Sequence, residues 1–310
     1  MILTVTPNTA LDQVIEIPHY VPGLRLDILK ETECMGGKGN LASGFISDLG
    51  AKTVSLAFAA GRNGRRLASL LRERGVRPDF TIAGGETRRI LVVVDARRAV
   101  QTWLVPVTLR VNRQIERDLE QRVARWLPKA SWLALCGSLP PGCSPKIYHR
   151  LTRLAHSLKI PVLIDARGPA LANALPARPE VVRLNKEELE LTLGKKVPET
   201  PAIIRELRRI VAGGVELAVC SLGADGAVAV TAQAGWKFVP PKLKQKSSAG
   251  SGDAFTAAIM VWRERGAAWP EAIRWACAAG AAKAIHARTD HPLDLASVRR
   301  MYRGVKVANL

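Results

Sequence analysis

The sequence predicts an α/β fold in which a central, mainly parallel sheet lies between helices that cover both of its faces. Short apolar, β-rich runs alternate along the chain with segments whose apolar residues recur at helical spacing. This alternation is typical of βαβ units, whose crossover helices pack on the sheet. The chain has 310 residues, 47% hydrophobic and 24% charged, and is therefore long enough to bury a sizeable core.

Six apolar runs predict the strands of this sheet, and each is followed by a segment with helical spacing. The strands are expected at residues 2–6, 54–58, 132–136, 162–165, 181–184 and 217–221. The helices are expected at residues 40–49, 64–74, 114–126, 144–158, 186–193, 201–211, 252–265 and 270–286.

Two stretches break the alternation and predict a small β-lid over one edge of the sheet. The first, near residues 11–33, contains Pro18, Pro22 and Gly23. The second, near residues 86–110, contains strand-like runs at 90–95 and 101–105 with no helix between them. Because no repeat, linker or low-complexity tract divides the chain, residues 1–310 are expected to form one domain that carries this lid.

Composition argues against several classes of protein. The chain starts directly with a strand-like run and has no apolar segment near the roughly 20 residues of a membrane span, so a cytoplasmic protein with no membrane partner is expected. Its five cysteines are an odd number without a C-x-x-C pair, which indicates reduced, structural thiols.

The formal charge of +19 has two explanations. A nucleic-acid-binding surface would need clustered basic residues and a recognition motif, whereas the arginines of this chain are dispersed. We therefore expect no nucleic-acid partner, and anionic small substrates explain part of the excess.

The strongest local motif is the small-residue turn at 248–255, which opens a helical segment. Backbone N–H groups of Gly250, Ser251 and Gly252 can converge there on an anion, helped by the positive end of the helix. A carboxylate inside such a nest would repel phosphate, so Asp253 is expected to accept a proton from an attacking hydroxyl. The alternative is that Asp253 only caps the helix.

A second glycine turn, at residues 36–39, surrounds Lys38. It is not a Walker A motif, because Gly39 follows Lys38 where serine or threonine is required. The 250–255 turn likewise fails the dinucleotide fingerprint, because Phe255 occupies its last, small-residue position. Glycines at 36–39 allow a ligand to approach the backbone and Lys38 supplies a positive charge, although a purely structural turn is the alternative.

Seven short motifs occur in order over nearly the whole chain: TPNTALD at 6–12, GGKG at 36–39, TR at 87–88, GSLPPG at 137–142, N-x-x-E at 185–188, SLGADG at 221–226 and GSGD at 250–253. Together they resemble the phosphofructokinase B (pfkB) branch of the ribokinase superfamily, especially its 1-phosphofructokinase and tagatose-6-phosphate kinase group. The resemblance implies a ribokinase-like fold and ATP-dependent phosphoryl transfer to a sugar, with Mg²⁺.

On the sugar side, the resemblance implies that Asp12 holds sugar hydroxyls and that Lys38 and Arg88 receive a phosphate already on the sugar. Gly37, Asn40 and Ser138 are the other expected substrate residues of this side. Each residue also has a non-functional alternative. Asp12 could be an acidic residue of a turn or helix cap, Lys38 and Arg88 could be solvated surface charges, and Ser138 could belong to a purely structural turn.

On the nucleotide side, the resemblance implies that Asn185 and Glu188 hold magnesium-bound water and that Asp253 is the catalytic base. Ser221, Gly223, Gly226 and Gly252 are expected to line ATP. A helix amino terminus is the alternative for Asn185 and Glu188, and a hairpin turn is compatible with the 221–226 motif.

The favoured substrate is a ketohexose phosphate: fructose 1-phosphate first, then tagatose 6-phosphate or fructose 6-phosphate. An unphosphorylated sugar or a nucleoside remains an alternative, as does a non-catalytic sugar-phosphate sensor or basic nucleic-acid-binding protein on the same fold. Leu41 and Ile90 stand where the family usually has asparagine, and Arg288-Thr289 where it has Gly-Thr. A homodimer through the lid is expected, with Arg25 reaching the neighbouring active site.

Overall fold

The computed structural model describes residues 1–98 and 100–310. The strands, in chain order, are β1 (Ile2–Thr6), β2 (Ala10–Ile17), β3 (Lys30–Gly36), β4 (Thr53–Ala59), β5 (Arg77–Ile82), β6 (Gly84–Gly85), β7 (Arg88–Asp95), β8 (Val100–Leu104), β9 (Leu109–Arg110), β10 (Trp132–Cys136), β11 (Val162–Asp165), β12 (Val181–Asn185), β13 (Leu217–Ser221), β14 (Ala227–Val230), β15 (Gly235–Val239) and β16 (Lys306–Asn309). The helices are α1 (Lys38–Asp48), α2 (Gly61–Glu73), α3 (Arg113–Trp126), α4 (Ile147–Ser157), α5 (Gly168–Ala174), α6 (Lys186–Leu193), α7 (Thr200–Ala212), α8 (Ser251–Glu264), α9 (Trp269–Ala284) and α10 (Leu295–Gly304).

A ten-stranded sheet forms the centre of the molecule, in the order β16-β15-β14-β13-β12-β11-β10-β1-β4-β5. The seven strands from β13 to β5 are parallel, and β14, β15 and β16 add an antiparallel edge. The prediction of a mainly parallel sheet is confirmed.

The sheet buries apolar side chains on both faces. Alternate residues of β1 point in opposite directions. Ile2 belongs to a buried cluster that includes residues of α1, α2, α8, α9 and α10, whereas Leu3 belongs to one that includes residues of α3 to α7. In the described part of the chain, five helices therefore lie on each face, which confirms the prediction that both faces are covered.

Helices α8 and α9 pack closely because their contact is made of small side chains. Ala254, Ala257 and Ala258 of α8 and Ala276 and Ala279 of α9 are fully buried. This close packing fixes the amino end of α8 at the carboxyl edge of the sheet.

A separate four-stranded sheet, in the order β3-β2-β7-β8, forms the lid. Its strands come from the two segments that interrupt the alternating pattern. Strands β2 and β7 run parallel, and the buried apolar cluster between them consists of Ala10, Ile90 and Val92. The lid therefore has only a small core of its own.

Several elements were not predicted. Strand β5 contains Pro78 and Asp79, which are depleted in strands, and β16 is an exposed edge strand. Helix α5 has only seven residues, fewer than a periodic pattern needs. In the described part of the chain, no helix is long and apolar enough to cross a membrane.

Candidate active site

A cleft of about 1070 Å³ opens at the carboxyl ends of the parallel strands, beside the amino end of α8. Ligands of open α/β sheets bind at this end of the strands. The predicted site residues that line the cleft are Lys38, Asn185, Glu188, Ser221, Gly223, Gly226, Ser251, Gly252 and Asp253. The structure therefore brings together all seven residues expected on the nucleotide side.

The turn before α8 is shaped to receive an anion. Gly250, the N-cap, has φ +79°, and a Cβ there would lie 2.3 Å from the carbonyl oxygen of Thr289. A Cβ at Gly252 would lie 2.7 Å from a guanidinium nitrogen of Arg183. Position 250 therefore requires glycine, because its φ is positive and the clash is with backbone, whereas a side chain at position 252 would displace the Arg183 guanidinium group. No described residue accepts a hydrogen bond from the backbone N–H of Gly252 or Asp253, so these donors of the helix end remain free for a ligand.

Asp253 is a buried carboxyl group in the first turn of α8. Burial first, and then the negative charge of Asp165, raise its pKa to about 7 against the opposing charges of Lys38 and Arg183. A general base works best when its pKa lies near the working pH. The side chain also makes no N-cap hydrogen bond, because the cap residue is Gly250, so the alternative of a capping role is wrong.

Lys38 lines the main cleft, together with the residues expected on the nucleotide side. Its Nζ donates to Asp165 at 2.6 Å and to Glu188 at 2.5 Å. Burial lowers the pKa of Lys38, but these two carboxylates outweigh it and raise the pKa above its usual value. Two acids therefore hold the ammonium group in the main cleft, and the expected role of Lys38 with Arg88 on one sugar phosphate stays a prediction.

Two buried residues of this cluster were missed by the sequence reasoning. Asp165 ends β11, and its carboxylate also accepts from Thr256 at 2.7 Å and from Arg183. Arg183 in β12 donates to Ser221 at 2.8 Å. Burial raises the pKa of Asp165, but Lys38 and Arg183 lower it overall. The signal available was a charged residue ending or interrupting a buried strand run.

Asn185 and Glu188 form a capping box at the start of α6. The Asn185 side chain accepts from the Glu188 N–H at 2.8 Å, and Glu188 Oε2 accepts from the Asn185 N–H at 2.9 Å. These two residues therefore do cap a helix, which was the alternative interpretation. The capping box uses Oε2 of Glu188, and Oε1 faces Lys38 in the cleft. One side chain therefore serves both the helix start and the site.

The 221–226 motif forms the turn between antiparallel strands β13 and β14. Gly223 and Gly226 both have positive φ, +62° and +91°. A Cβ at Gly226 would lie 1.9 Å from the carbonyl oxygen of Phe238, so only glycine fits there. Both the hairpin and the position along the cleft are present.

Asp12 and Arg88 form a second part of the site, on the lid. Asp12 is buried, and its Oδ1 has no hydrogen-bond partner among the described residues. Burial raises the pKa of Asp12 to about 8, an effect that Arg88 opposes. Arg88 donates to the carbonyl oxygens of Asn8 at 2.8 Å and Thr9 at 3.3 Å, and its Nη1 has no acceptor in the described part of the chain. An acid and a cation thus both retain unused hydrogen-bonding capacity.

Comparison with known proteins identifies the family. The family model for pfkB family carbohydrate kinases matches residues 27–295. The chain belongs to this family. It is 30% identical over 261 residues to 1-phosphofructokinase from Xanthomonas campestris pv. campestris, covering 83% of this chain and 82% of that protein.

Two further relatives cover more of this pfkB kinase. D-tagatose-1-phosphate kinase from Bacillus licheniformis is 29% identical over 286 residues, covering 92% of this chain and 93% of its own. The crystal structure of phosphofructokinase-2 from Escherichia coli in complex with substrates and products is 27% identical, with a TM-score of 0.91 and coverage of 97% and 98%. The chain is therefore a carbohydrate kinase with the ribokinase-like fold that its sequence motifs indicated.

The pfkB glycine turn places Asn40 in the core rather than at the sugar. Asn40 has no exposed surface; its amide donates to Thr9 and to the Gly36 carbonyl oxygen, and its carbonyl oxygen accepts from Ser55 at 2.8 Å. Because both ends of the amide are bonded within the protein, the expectation that Asn40 binds substrate is corrected. Gly37, with φ +86°, is the N-cap of α1.

The two family asparagines absent from this kinase are replaced by buried apolar residues. Leu41 packs in the core of the main sheet. Ile90 of β7 pairs in register with Asp12 of β2, so it lies on the same face without offering a donor. Ser138 accepts a hydrogen bond from Asn8 at 3.1 Å, which holds the GSLPPG loop against the loop that Arg88 binds.

Arg25 does not join the site formed by its own chain. It is exposed and follows the Pro22-Gly23 turn, where Gly23 has φ +83°. All five cysteines are free, and Cys143 alone among them is not fully buried.

Proposed function

We propose that this kinase transfers the γ-phosphoryl group of ATP to a hydroxyl of a ketohexose phosphate, with Asp253 as the catalytic base. The observation that carries the proposal is the position of Asp253, a buried carboxyl with a pKa of about 7, beside two unbonded N–H groups, those of Gly252 and of Asp253 itself. That arrangement places a proton acceptor beside the phosphoryl group that a hydroxyl attacks.

In the proposed complex, ATP lies along the cleft between the 221–226 turn and the amino end of α8. The N–H groups of Gly252 and Asp253 stabilise charge on the transferring group, and Lys38 supplies positive charge beside them. Asp253 orients the sugar hydroxyl and takes its proton as the oxygen–phosphorus bond forms. Asp12 accepts hydrogen bonds from other sugar hydroxyls, because its Oδ1 has no partner in the protein.

Magnesium is the expected cation of this reaction, since Mg²⁺ is usually held by one or two carboxylates, phosphates and water. Residues 1–98 and 100–310 contain no group of three His, Cys, Asp or Glu side chains that would form a complete cage. Asn185 and Glu188, which both line the cleft, would hold the magnesium-bound water there. Bound there, magnesium would neutralise charge on the phosphates.

A phosphate on the acceptor sugar is favoured by Arg88. Its guanidinium group lies in the lid near Asp12, and Nη1 is available for a phosphate oxygen. We place fructose 1-phosphate first, followed by tagatose 6-phosphate and fructose 6-phosphate. The names 1-phosphofructokinase and D-tagatose-1-phosphate kinase, carried by relatives, add tagatose 1-phosphate to the set worth testing.

A homodimer through the lid is the proposed assembly. Among the described residues, nine of the fifteen exposed large apolar side chains lie in and beside the lid: Tyr20, Leu24, Ile28, Leu29, Val100, Trp103, Leu104, Val105 and Val107. A surface of this kind usually marks an interaction site. Arg25 lies in the same region, where it could reach the site of a second copy.

The decisive experiment is an ADP-release screen with ATP and Mg²⁺ over free and phosphorylated ketohexoses, using wild type and Asp253→Asn. The variant should lose about 10²- to 10⁴-fold in turnover, because it lacks the general base, and should keep its affinity for ATP. Asp294→Asn makes the same chemical change at the N-cap of α10 and should retain full activity. More than half of wild-type turnover in Asp253→Asn would contradict the assignment.

A further inference from the structure

Lys283, in the last turn of α9, is a charged side chain with no exposed surface. Its Nζ donates one hydrogen bond, of 3.3 Å, to the carbonyl oxygen of His286, and it forms no salt bridge with any described residue. A buried ammonium group without a paired charge destabilises a fold. The mechanism proposed above does not use it.

The position of Lys283 connects it to the anion-binding turn. A Cβ on Gly250 would lie 3.2 Å from Cε of Lys283, so the lysine stem packs directly against the first residue of the turn. Gly280, one helical turn earlier, packs against the carbonyl oxygen of Ser251, where a Cβ would lie at 3.2 Å. The same face of α9 therefore supports the amino end of α8 and brings a cation beneath it.

The fixed charges around Lys283 do not neutralise it completely. Four groups act on its charge: Asp290 and Asp253 favour the ammonium form, as does Cys34 when ionised, and Arg74 opposes it. The nearby His286 and His291 in turn have their pKa values lowered, first by burial and then by neighbouring cations that include Lys283. Asp290 is already occupied, because its carboxylate accepts from the backbone N–H of Met35 and from Arg288.

We propose that Lys283 is a built-in cation beneath the Gly250–Asp253 turn, and that it stabilises the negative charge that collects there during phosphoryl transfer. This inference rests on the proposed kinase reaction. Lys283 contacts Gly250 rather than substrate, so it acts as a positioning and electrostatic residue. The arrangement explains why an unpaired charge is retained in the core: its counter-charge arrives with the substrate.

The ionisation of Lys283 agrees with this role. Burial lowers its pKa to about 8, against the pull of Asp290 and Asp253. The free enzyme therefore loses this charge as the pH rises above about 8, and kcat/KM, which reports groups of the free enzyme, should fall over the same range. Bound phosphates favour the ammonium form, so kcat should fall only at higher pH.

The test compares Lys283→Met with Lys246→Met. Lys246 is exposed on the neighbouring loop, and its backbone N–H donates to Ala284 of the same helix, so it is a matched control for loss of one positive charge. Lys283→Met should lower kcat about 10- to 100-fold, less than the 10²- to 10³-fold typical of a direct oxyanion donor, with the sugar KM within about twofold. It should also raise the Tm, because an unpaired buried charge is removed. Lys246→Met should match wild type in all three.

Several outcomes would overturn the inference. A wild-type kcat in Lys283→Met would overturn it. A lower Tm or a failure of this variant to fold would also overturn it, because either result would show that the ammonium group stabilises the fold. Ammonium ions should partly restore turnover to Lys283→Ala and not to Asp253→Asn; no rescue would count against the inference.

Ligand binding separates this inference from the proposed function. Calorimetry of ADP with fluoroaluminate, a mimic of the transferring phosphoryl group, needs no sugar turnover. Lys283→Met should bind the mimic at least about tenfold more weakly than wild type, which corresponds to a loss of about 1.4 kcal/mol in binding free energy. It should bind ADP alone with the affinity of wild type. Equal affinity for the mimic overturns the inference, whereas wild-type inactivity toward every sugar overturns the proposed function.

Discussion

Replacing Arg88 with alanine should remove the preference for a phosphorylated sugar. Arg88 lies in β7, opposite Ala10 in the register and two residues from the position opposite Asp12, so both side chains share one face of the lid. Two of its nitrogens bind the carbonyl oxygens of Asn8 and Thr9. The remaining nitrogen, Nη1, is the donor that we assign to phosphate.

The size of the effect follows from this one donor group. A hydrogen bond to a charged partner contributes about 1.5 to 3 kcal/mol, which corresponds to roughly 10- to 150-fold in kcat/KM at 1.4 kcal/mol per tenfold. Alanine also releases the loop containing Asn8 and Thr9, but that loss affects phosphorylated and unphosphorylated sugars alike. The ratio of kcat/KM for the two sugars therefore isolates the phosphate contact.

The assay measures kcat/KM for fructose 1-phosphate and for fructose in wild type, Arg88→Ala and Arg89→Ala. Arg89 is the next residue in β7 and is exposed, with its guanidinium bound to Gln13 and Glu33. Its loss should leave the ratio unchanged. If Arg88→Ala also kept the wild-type ratio, Arg88 would not be the phosphate receptor, and the proposed class of substrate would lose its structural support.

Three further predictions concern the base, the metal and the assembly. Because the pKa of Asp253 is raised to about 7, its carboxylate forms only above that pH, so kcat/KM should fall as the pH drops through about 7; a flat profile down to pH 5 would contradict the base assignment. Glu188→Gln should raise the Mg²⁺ concentration needed for half-maximal rate without changing the sugar KM, because glutamine preserves the capping box, and Glu187→Gln should change neither. The active protein should be a dimer by light scattering, and Arg25→Ala should raise the KM of the sugar phosphate; a fully active monomer would refute this.

The central sheet was predictable because its strands are signalled locally. Strands β1, β10, β11 and β13 begin and end at the predicted residues, since a strand buried on both faces is a continuous apolar run. Strand β5 has no such signal. It lies at the edge of the sheet, pairs only with β4 and is mostly not buried, so its sequence is not a continuous apolar run. The order of strands depends on pairing between distant segments and was not predicted.

The site was predictable where its residues are close in sequence. The turn at 250–253 and the Asn185–Glu188 pair each lie within one helical start, so spacing alone indicated their geometry. The partners of Lys38 are 127 and 150 residues away, and no local pattern records such distances. The contacts of Lys38 with Asp165 and Glu188 were therefore not predicted, and Asp165 was overlooked.

The contrast between α8 and the lid determines which part of the enzyme can move during turnover. Helix α8 is held by fully buried small residues along its contact with α9, where even one added methyl group would destabilise the packing. The lid has three buried apolar residues at its centre. In the proposed mechanism, conformational change is therefore expected in the lid, while Asp253 and the turn before it stay in place. Under that proposal, selection for a new sugar can act on the lid without moving Asp253.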